Sequence, residues 1–239
     1  MGYRDILVHV DSTKPGNVRL ALAIALAMRF GARLTGIHIV PNPNVPPVYR
    51  PSAAEPVAAG YAEAARKAAE QSEVLFRDRV RNLALATDYV KAEGDIAEHL
   101  RQASRFVDLI MVGQADTENP AGIEPFLLPE RVVFGCAAPV LVVPNRFVAE
   151  AIGRTVLVGW DGSGQAARAI RDALPFLREA RTVTVVAVDP DRQGHLMGGA
   201  HARAMVARLA RNGINVAGED ILSGHRDTAE VLLARRSGR

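Results

Sequence analysis

The sequence has little of what would place a protein in a specialised class. Its 239 residues include one cysteine, Cys136, which excludes an intrachain disulfide and favours a reducing compartment. Aromatic residues make up only 5%, and the formal net charge is only +3, so a nucleic-acid footprint is not indicated. No apolar run approaches the roughly 20 residues that span a bilayer, and residues 1–11 lack a signal-peptide layout. We therefore expect a soluble, cytoplasmic protein without membrane or nucleic-acid contacts.

An internal repeat is the most informative feature that is present. Residues 6–12 (ILVHVDS) recur 150 residues later as residues 156–162 (VLVGWDG). Each copy is a short β-branched run that ends in Asp and small residues, which is typical of a buried strand that leads into a turn. An alanine-rich helix and a second strand follow in both copies. The pattern predicts two tandem domains, which we place at residues 1–146 and 153–239.

The two copies differ in length after the repeated helix start. Residues 94–100 (GDIAEHL) correspond to residues 226–232 (RDTAEVL), where Asp95 and Asp227 are expected to cap a helix. In the first copy, 44 further residues reach Pro144, whereas only seven residues follow Leu232. The second domain is therefore expected to stop before its fourth and fifth strands.

The alternation of strand and helix predicts an α/β fold with a parallel sheet between layers of helices. In the first domain we expect strands near 5–10, 33–40, 88–92, 108–112 and 139–143, and helices near 16–30, 57–85, 95–104 and 127–135. In the second domain we expect three strands and a single helix over 165–177.

Several of these segments together resemble the universal stress protein family, namely residues 6–11, 94–95, 108–113 and 138–144. The resemblance implies the adenine nucleotide alpha hydrolase-like fold, with strand order 3-2-1-4-5 and helices on both faces. It also implies that the last strand pairs across a two-fold axis or between tandem domains. We therefore expect a homodimer through Pro139, Val140, Leu141, Val142 and Val143.

ATP-binding members of that family carry G-x2-G-x9-G-[S/T] after the fourth strand, where glycine amides and a helix N-terminus hold the phosphates. In this chain Gly113 fills the first glycine position, but Asp116, Phe126 and Leu127 occupy the other three. Carboxylates repel phosphate, and prolines supply no N–H donor. The loop is predicted not to hold a triphosphate, because Glu118, Pro120, Pro125 and Pro129 add to these departures.

Asp11 and Asp161 are the best candidates for ligand contact, because each follows a central strand at the edge where open α/β sheets bind ligands. The resemblance implies that the first-strand Asp contacts the adenosine part of a nucleotide. The alternative is that each Asp only caps the following turn. His9 and His38 lie on predicted strands and are expected to pack in the core or at an edge of the sheet. We expect no metal site, since Asp116, Glu118 and Glu124 match no spaced ligand loop.

No acid–base pair or activated nucleophile emerges, so we expect no catalytic residues and no enzyme activity. The leading hypothesis is a stress-response protein that acts through assembly or partner binding, without a bound cofactor. The alternative is an adenine-nucleotide switch that holds ATP or AMP at Asp11, Gly113 or Asp161. A third, enzymatic hypothesis rests only on analogy with other proteins of the fold class.

Overall fold

The computed structural model describes residues 2–40, 54–114, 128–147, 152–190 and 201–237. The chain forms two compact units, Met1–Ala149 and Glu150–Arg239. Among the helices in the described ranges, none is both long enough and apolar enough to cross a membrane.

The first unit contains a five-stranded parallel sheet in the order β3-β2-β1-β4-β5, which confirms the order expected from the sequence. Its strands are β1 (Asp5–His9), β2 (Arg33–Val40), β3 (Thr87–Glu93), β4 (Leu109–Gly113) and β5 (Val140–Val143). Its helices are α1 (Lys14–Phe30), α2 (Ala54–Val80), α3 (Ile96–Ala103) and α4 (Leu128–Gly135).

Helices cover both faces of this sheet. Side chains alternate between the two faces along each strand. Leu7 of β1 belongs to a buried cluster that includes residues of α3 and α4. Ile6 and Val8, its neighbours, are fully buried and point to the opposite face. On that face Gly36 of β2 allows the ring of Phe76 in α2 to approach, since a Cβ there would lie 2.7 Å from the ring. The expected helices on both faces are therefore present.

The helix starts follow the capping rules. Asp95 begins α3 as expected, since its Oδ1 accepts a hydrogen bond from the backbone N–H of Glu98 at 2.8 Å. The carboxylate of Glu98 accepts hydrogen bonds from Arg101 and Gln102 in the next turn, so it does not supply the reciprocal bond of a capping box. Helix α2 ends at Val80 rather than at the predicted residue 85, because the chain turns over residues 81–84 to reach β3.

The second unit contains a three-stranded parallel sheet in the order β6-β7-β8, which fits a partial second domain of the same fold. Its elements are β6 (Thr155–Gly159), α5 (Gly164–Asp172), α6 (Leu174–Glu179), β7 (Thr182–Val188), α7 (Ala202–Arg211), β8 (Val216–Ile221) and α8 (Thr228–Ser237). The prediction of a single helix over 165–177 was wrong. The helix is divided into α5 and α6 just before Pro175, because proline lacks an N–H.

Candidate functional site

The candidate site of the first unit lies at the carboxyl ends of two adjacent strands. Strand β1 leads to Asp11, and its neighbour β4 ends at Gly113. Val8 pairs with Met111, so continuing the same register by two residues places residue 10 beside Gly113. The fold therefore brings Asp11 and Gly113, two of the residues selected from the sequence, to the same edge of one sheet.

The carboxylate of Asp11 is engaged on both oxygens. Its Oδ1 accepts hydrogen bonds from the backbone N–H of Thr13, at 2.8 Å, and from the Thr13 hydroxyl. Its Oδ2 accepts a hydrogen bond from the guanidinium of Arg19 in α1 and forms an ion pair with it. The side chain of Asp11 is only 16% exposed and that of Arg19 only 2%, so this ion pair is largely shielded from water.

Arg19 is itself held in place by the strand that it faces. Its Nε donates a hydrogen bond of 2.8 Å to the carbonyl oxygen of His9, the last residue of β1. One guanidinium therefore links the end of β1, the Asp11 carboxylate and the first turns of α1. A planar guanidinium with several fixed donors suits this role better than a lysine ammonium would.

The ion pair determines the protonation state of Asp11. Burial raises the pKa of the carboxyl, but Arg19, His9 and the hydrogen bonds from Thr13 together lower it more, to about 2. Asp11 is therefore ionised at every physiological pH.

Two buried histidines lie beside the ion pair and confirm the core packing that was expected for them. His9 and His38 are 3% and 7% exposed. Nδ1 of His38 donates a hydrogen bond of 2.8 Å to the carbonyl oxygen of Val10. Burial lowers the pKa of His38, so its imidazole is neutral near pH 7.

Gly16 makes room for the Asp11 carboxylate against the first turn of α1. A Cβ at this position would lie 2.0 Å from Oδ1 of Asp11 and 2.9 Å from its backbone carbonyl oxygen. Both distances are far below van der Waals contact, so any side chain larger than hydrogen would displace the carboxylate. The Asp11 arrangement thus depends on Gly16 as well as on Arg19.

Asp161 occupies the repeated position in the second unit but has a different environment. It is exposed, and its Oδ1 accepts a hydrogen bond from the backbone N–H of Ser163 at 2.9 Å. Ser163 caps α5 as Thr13 caps α1. The step of 150 residues that relates the two aspartates places Ala166 and Ala169 at the positions of Gly16 and Arg19. The second unit therefore lacks both residues that hold Asp11 in its buried position.

Gly113 is the buried last residue of β4 and pairs with Val143 of β5. The next backbone N–H, that of Gln114, donates to the carbonyl oxygen of Val143 at 3.0 Å. Of the positions on which the predicted failure of phosphate binding depends, Pro129 is described and lies in the first turn of α4. The others lie outside the described residues, as does Glu124: Asp116, Glu118, Pro120, Pro125, Phe126 and Leu127. The failure of the loop to hold a triphosphate therefore stays a prediction.

Within the described residues, no group of three or more His, Cys, Asp or Glu side chains could hold a metal ion. His201 and Asp220 form a close imidazole–carboxylate pair, with 2.8 Å between Nδ1 and Oδ2. The other oxygen of Asp220 accepts a hydrogen bond from the backbone N–H of Ala202, the first residue of α7. This carboxylate therefore serves as a helix cap.

Arg19 is the residue that sequence reasoning missed. The signal was an arginine within an alanine- and leucine-rich segment, eight residues after Asp11. Such a cation on an apolar helix face needs a partner when the helix packs on a sheet. The sequence alone does not say which carboxylate that partner is.

The comparison with protein families agrees with this architecture. The model of the family described as "Universal stress protein family" matches residues 2–144, which is more than half of the chain. The chain belongs to the universal stress protein family. A search of curated proteins found none that matches it.

The search of solved structures also finds universal stress proteins, and the first of those given below has the same fold as this chain. A universal stress protein from Archaeoglobus fulgidus DSM 4304 is 16% identical with a TM-score of 0.73, over 98% of this chain and 81% of that chain. UspA from Lactobacillus plantarum is 23% identical with a TM-score of 0.47, over 60% of this chain and 99% of that chain. A family member from Burkholderia pseudomallei is 25% identical with a TM-score of 0.41, over 59% of this chain and 96% of that chain.

Proposed function

We propose that this universal stress protein is non-catalytic and acts through assembly or partner binding, with no ATP bound in its first unit. Asp11 gives this proposal its main support. In ATP-binding members that the sequence resembles, the Asp after the first strand contacts adenosine. Here both carboxylate oxygens of Asp11 are already engaged by Thr13 and Arg19. A nucleotide would have to break a shielded ion pair to make that contact.

Strand β5 supports the assembly part of the proposal. It lies at one edge of the first sheet, pairs only with β4 in that sheet, and consists of four apolar residues. The opposite edge strand, β3, carries Asp88, Lys91 and Glu93, and charged side chains discourage pairing with another strand. Strand β5 itself carries no charged side chain.

Helix α4, which packs against β5, also carries exposed apolar side chains. Phe134 is 90% exposed and Val133 is 49% exposed. Exposed apolar side chains next to an uncharged strand edge favour burial in an interface. We infer that β5 pairs with the β5 strand of a second copy across a two-fold axis, so that the two sheets become continuous.

The nucleotide part is tested by calorimetry. Ligands are first released from the purified protein by heat and identified by mass spectrometry, and ATP with Mg²⁺ is then titrated into the ligand-free protein. We expect no saturable heat at ATP concentrations up to about 1 mM, the range of millimolar affinity. Saturable ATP binding that disappears in Asp11→Asn would contradict the proposal.

The assembly part is tested by Leu141→Lys. A lysine in the middle of β5 places a charge in the proposed strand pair, so we expect the wild type to be a dimer and the variant a monomer at micromolar concentration. Light scattering after size exclusion measures this. Val90→Lys on β3 is the matched control, because Val90 is exposed on the other edge strand, and it should stay dimeric. A monomeric wild type would refute the β5 interface.

A second candidate function is an adenine-nucleotide switch at Asp161. The observation that favours it is the exposure of Asp161 together with Ala166 and Ala169 in place of a close-fitting glycine and an arginine. The same calorimetry distinguishes it from the first proposal. Under the switch hypothesis, AMP or ATP binds to the wild type and to Asp11→Asn, and binding is lost in Asp161→Asn.

A further inference from the structure

The charge of the chain is unevenly divided between its two units. Residues 1–149 contain 16 lysines and arginines and 16 carboxylate side chains, whereas residues 150–239 contain 13 arginines and 10 carboxylates. The second unit has no lysine. Its entire basic complement is guanidinium, the group best suited to bidentate contact with phosphate oxygens.

Five of these arginines lie at the amino edge of the second sheet, and we call them the arginine edge. Two precede strands: Arg154 comes before β6 and Arg181 before β7. Their backbones are joined, since the N–H of Arg181 donates to the carbonyl oxygen of Arg154 at 2.7 Å. The remaining three lie in the last turns of α6 and α7, which end beside the starts of the parallel strands that follow them: Arg178, Arg208 and Arg211.

The side chains of the arginine edge are exposed and lack acidic partners. All five residues are exposed. Among the residues that the structure describes, no carboxylate forms an ion pair with any of them. Glu179 lies between Arg178 and Arg181 in the sequence. Even with this carboxylate, the edge has a clear excess of positive charge. Part of this excess stabilises the C-terminal ends of α6 and α7, where cations are favourable.

The amino edge of the first sheet provides an internal comparison. Arg33, the first residue of β2 and the counterpart of Arg181, forms an ion pair with Asp88 of β3. Asp108 accepts hydrogen bonds from the backbone N–H groups of Arg4 and Asp5, at 2.7 and 3.0 Å. The first sheet thus places carboxylates among its edge arginines.

The second unit lacks the equivalent of Asp88 within its own sheet. Asp88 pairs with Thr35, two residues after Arg33. The matching pair in the second sheet joins Val183, two residues after Arg181, to Val216. Val216 therefore occupies the position that Asp88 has in the first unit. The guanidinium of Arg181 stays available to an external partner.

We propose that the arginine edge binds the phosphate backbone of a nucleic-acid duplex without reading its bases. Backbone contact needs clustered cations and little else, and a duplex presents about one negative charge per 1.7 Å of axis. The residues that directly flank the five arginines carry no aromatic ring, although binding of single strands relies on aromatic stacking. No large apolar side chain exposed in the described residues flanks them either, whereas membrane-surface binding requires apolar anchors.

This proposal departs from the expectation that the chain has no nucleic-acid partner. That expectation rested on the net charge of the whole chain. This sum does not show that basic residues of the second unit lie along one edge of its sheet. The position of charge on one edge, rather than its sum, is what a polyanion responds to.

The test is fluorescence anisotropy with a labelled DNA duplex and the matching RNA duplex, each of about 24 base pairs, in roughly 50 to 300 mM KCl. We expect the logarithm of the association constant to fall with the logarithm of salt with a slope of about −3 to −4, as for four displaced counterions. Arg154→Gln/Arg181→Gln should weaken binding by about tenfold in low salt and make the slope shallower by about two.

Arg4→Gln/Arg33→Gln is the matched control, because these arginines hold the same positions in the first unit, where Arg33 is paired with Asp88, and it should bind like the wild type. Far-UV circular dichroism and Trp160 fluorescence check that each variant is folded. Arg208→Gln/Arg211→Gln replaces the first variant if that one does not fold. Equal losses in control and variant, a slope shallower than about −1, or preferential binding to vesicles of anionic lipid would each overturn the proposal.

Discussion

Replacing Arg19 with methionine is expected to lower the free energy of unfolding of the first unit by about 3–5 kcal/mol. The substitution keeps most of the side-chain volume but leaves the Asp11 carboxylate shielded from water without its cation. It also removes the hydrogen bond from Nε to the carbonyl oxygen of His9. Urea unfolding followed by far-UV circular dichroism measures the loss, with m-values compared to exclude a change in the unfolded state.

The pH dependence of this loss separates an electrostatic cause from a packing cause. In the wild type the pKa of Asp11 is lowered to about 2, so the ion pair stabilises the fold above about pH 4. This contribution, about 2 kcal/mol, is lost as the pH falls through the folded-state pKa. In Arg19→Met, burial without a cation raises the pKa, and acid then relieves the unpaired charge. The difference in stability between wild type and variant should therefore shrink between about pH 7 and pH 3. A difference independent of pH would contradict this account.

Two controls locate the effect in the first unit. Arg66→Met removes the same kind of cation from an ion pair with Glu63 and Glu70 on the exposed face of α2, and its stability should stay close to that of the wild type. Trp160 is the only tryptophan of the chain and lies in the second unit. Its fluorescence transition should stay unchanged in Arg19→Met while the circular dichroism transition moves to lower urea.

The sheet could be predicted from the sequence because its information is local and repeated. A β-branched run followed by Asp and small residues indicates a buried strand, and two such runs joined by a helix permit one handedness of connection. The order of the five strands, however, came from the resemblance of residues 6–11, 108–113 and 138–144 to a known family. Where the local signal was mixed, the prediction was wrong: the apolar pattern over 165–177 outweighed Pro175, which divides the helix in the structure.

The state of Asp11 could not be predicted because its determinants lie on the neighbouring helix. Asp11 and Asp161 end similar strand-forming runs, and both lie before a hydroxyl-capped helix. One is buried in an ion pair and the other is exposed, and the difference follows from what lies five and eight residues later. Gly16 lets the helix approach the carboxylate and Arg19 neutralises it, and neither effect is visible until the helix is docked on the sheet.

The distribution of charge over the fold could not be predicted from the sequence either. The sum over 239 residues indicated no polyanion partner, since the balance of +3 is small. The fold gathers Arg154 and Arg181 at one edge because parallel strands begin together. Only the strand register reveals that Val216 takes the place that Asp88 has in the first unit.

Gly16→Ala is expected to destabilise the first unit by about 3 kcal/mol, although alanine is the better helix former. The added Cβ would lie 2.0 Å from Oδ1 of Asp11, so the carboxylate must leave its position and with it the bonds to Thr13 and Arg19. Gly164→Ala in the first turn of α5 is the control. Its Cβ would meet nothing within 4 Å, and the variant should be as stable as the wild type within about 0.5 kcal/mol.

A double-mutant cycle identifies the carboxylate as the group that clashes. In an Asp11→Ala background the side chain that obstructs Cβ is gone, so Gly16→Ala should cost at least about 1 kcal/mol less than it does in the wild type. The remaining cost reflects the backbone carbonyl of Asp11, 2.9 Å from the same Cβ. The second unit has an alanine at the position of Gly16, Ala166 in the first turn of α5, and there the corresponding aspartate, Asp161, is exposed. An equal cost in both backgrounds would mean that the helix and the strand, not the buried carboxylate, require the glycine.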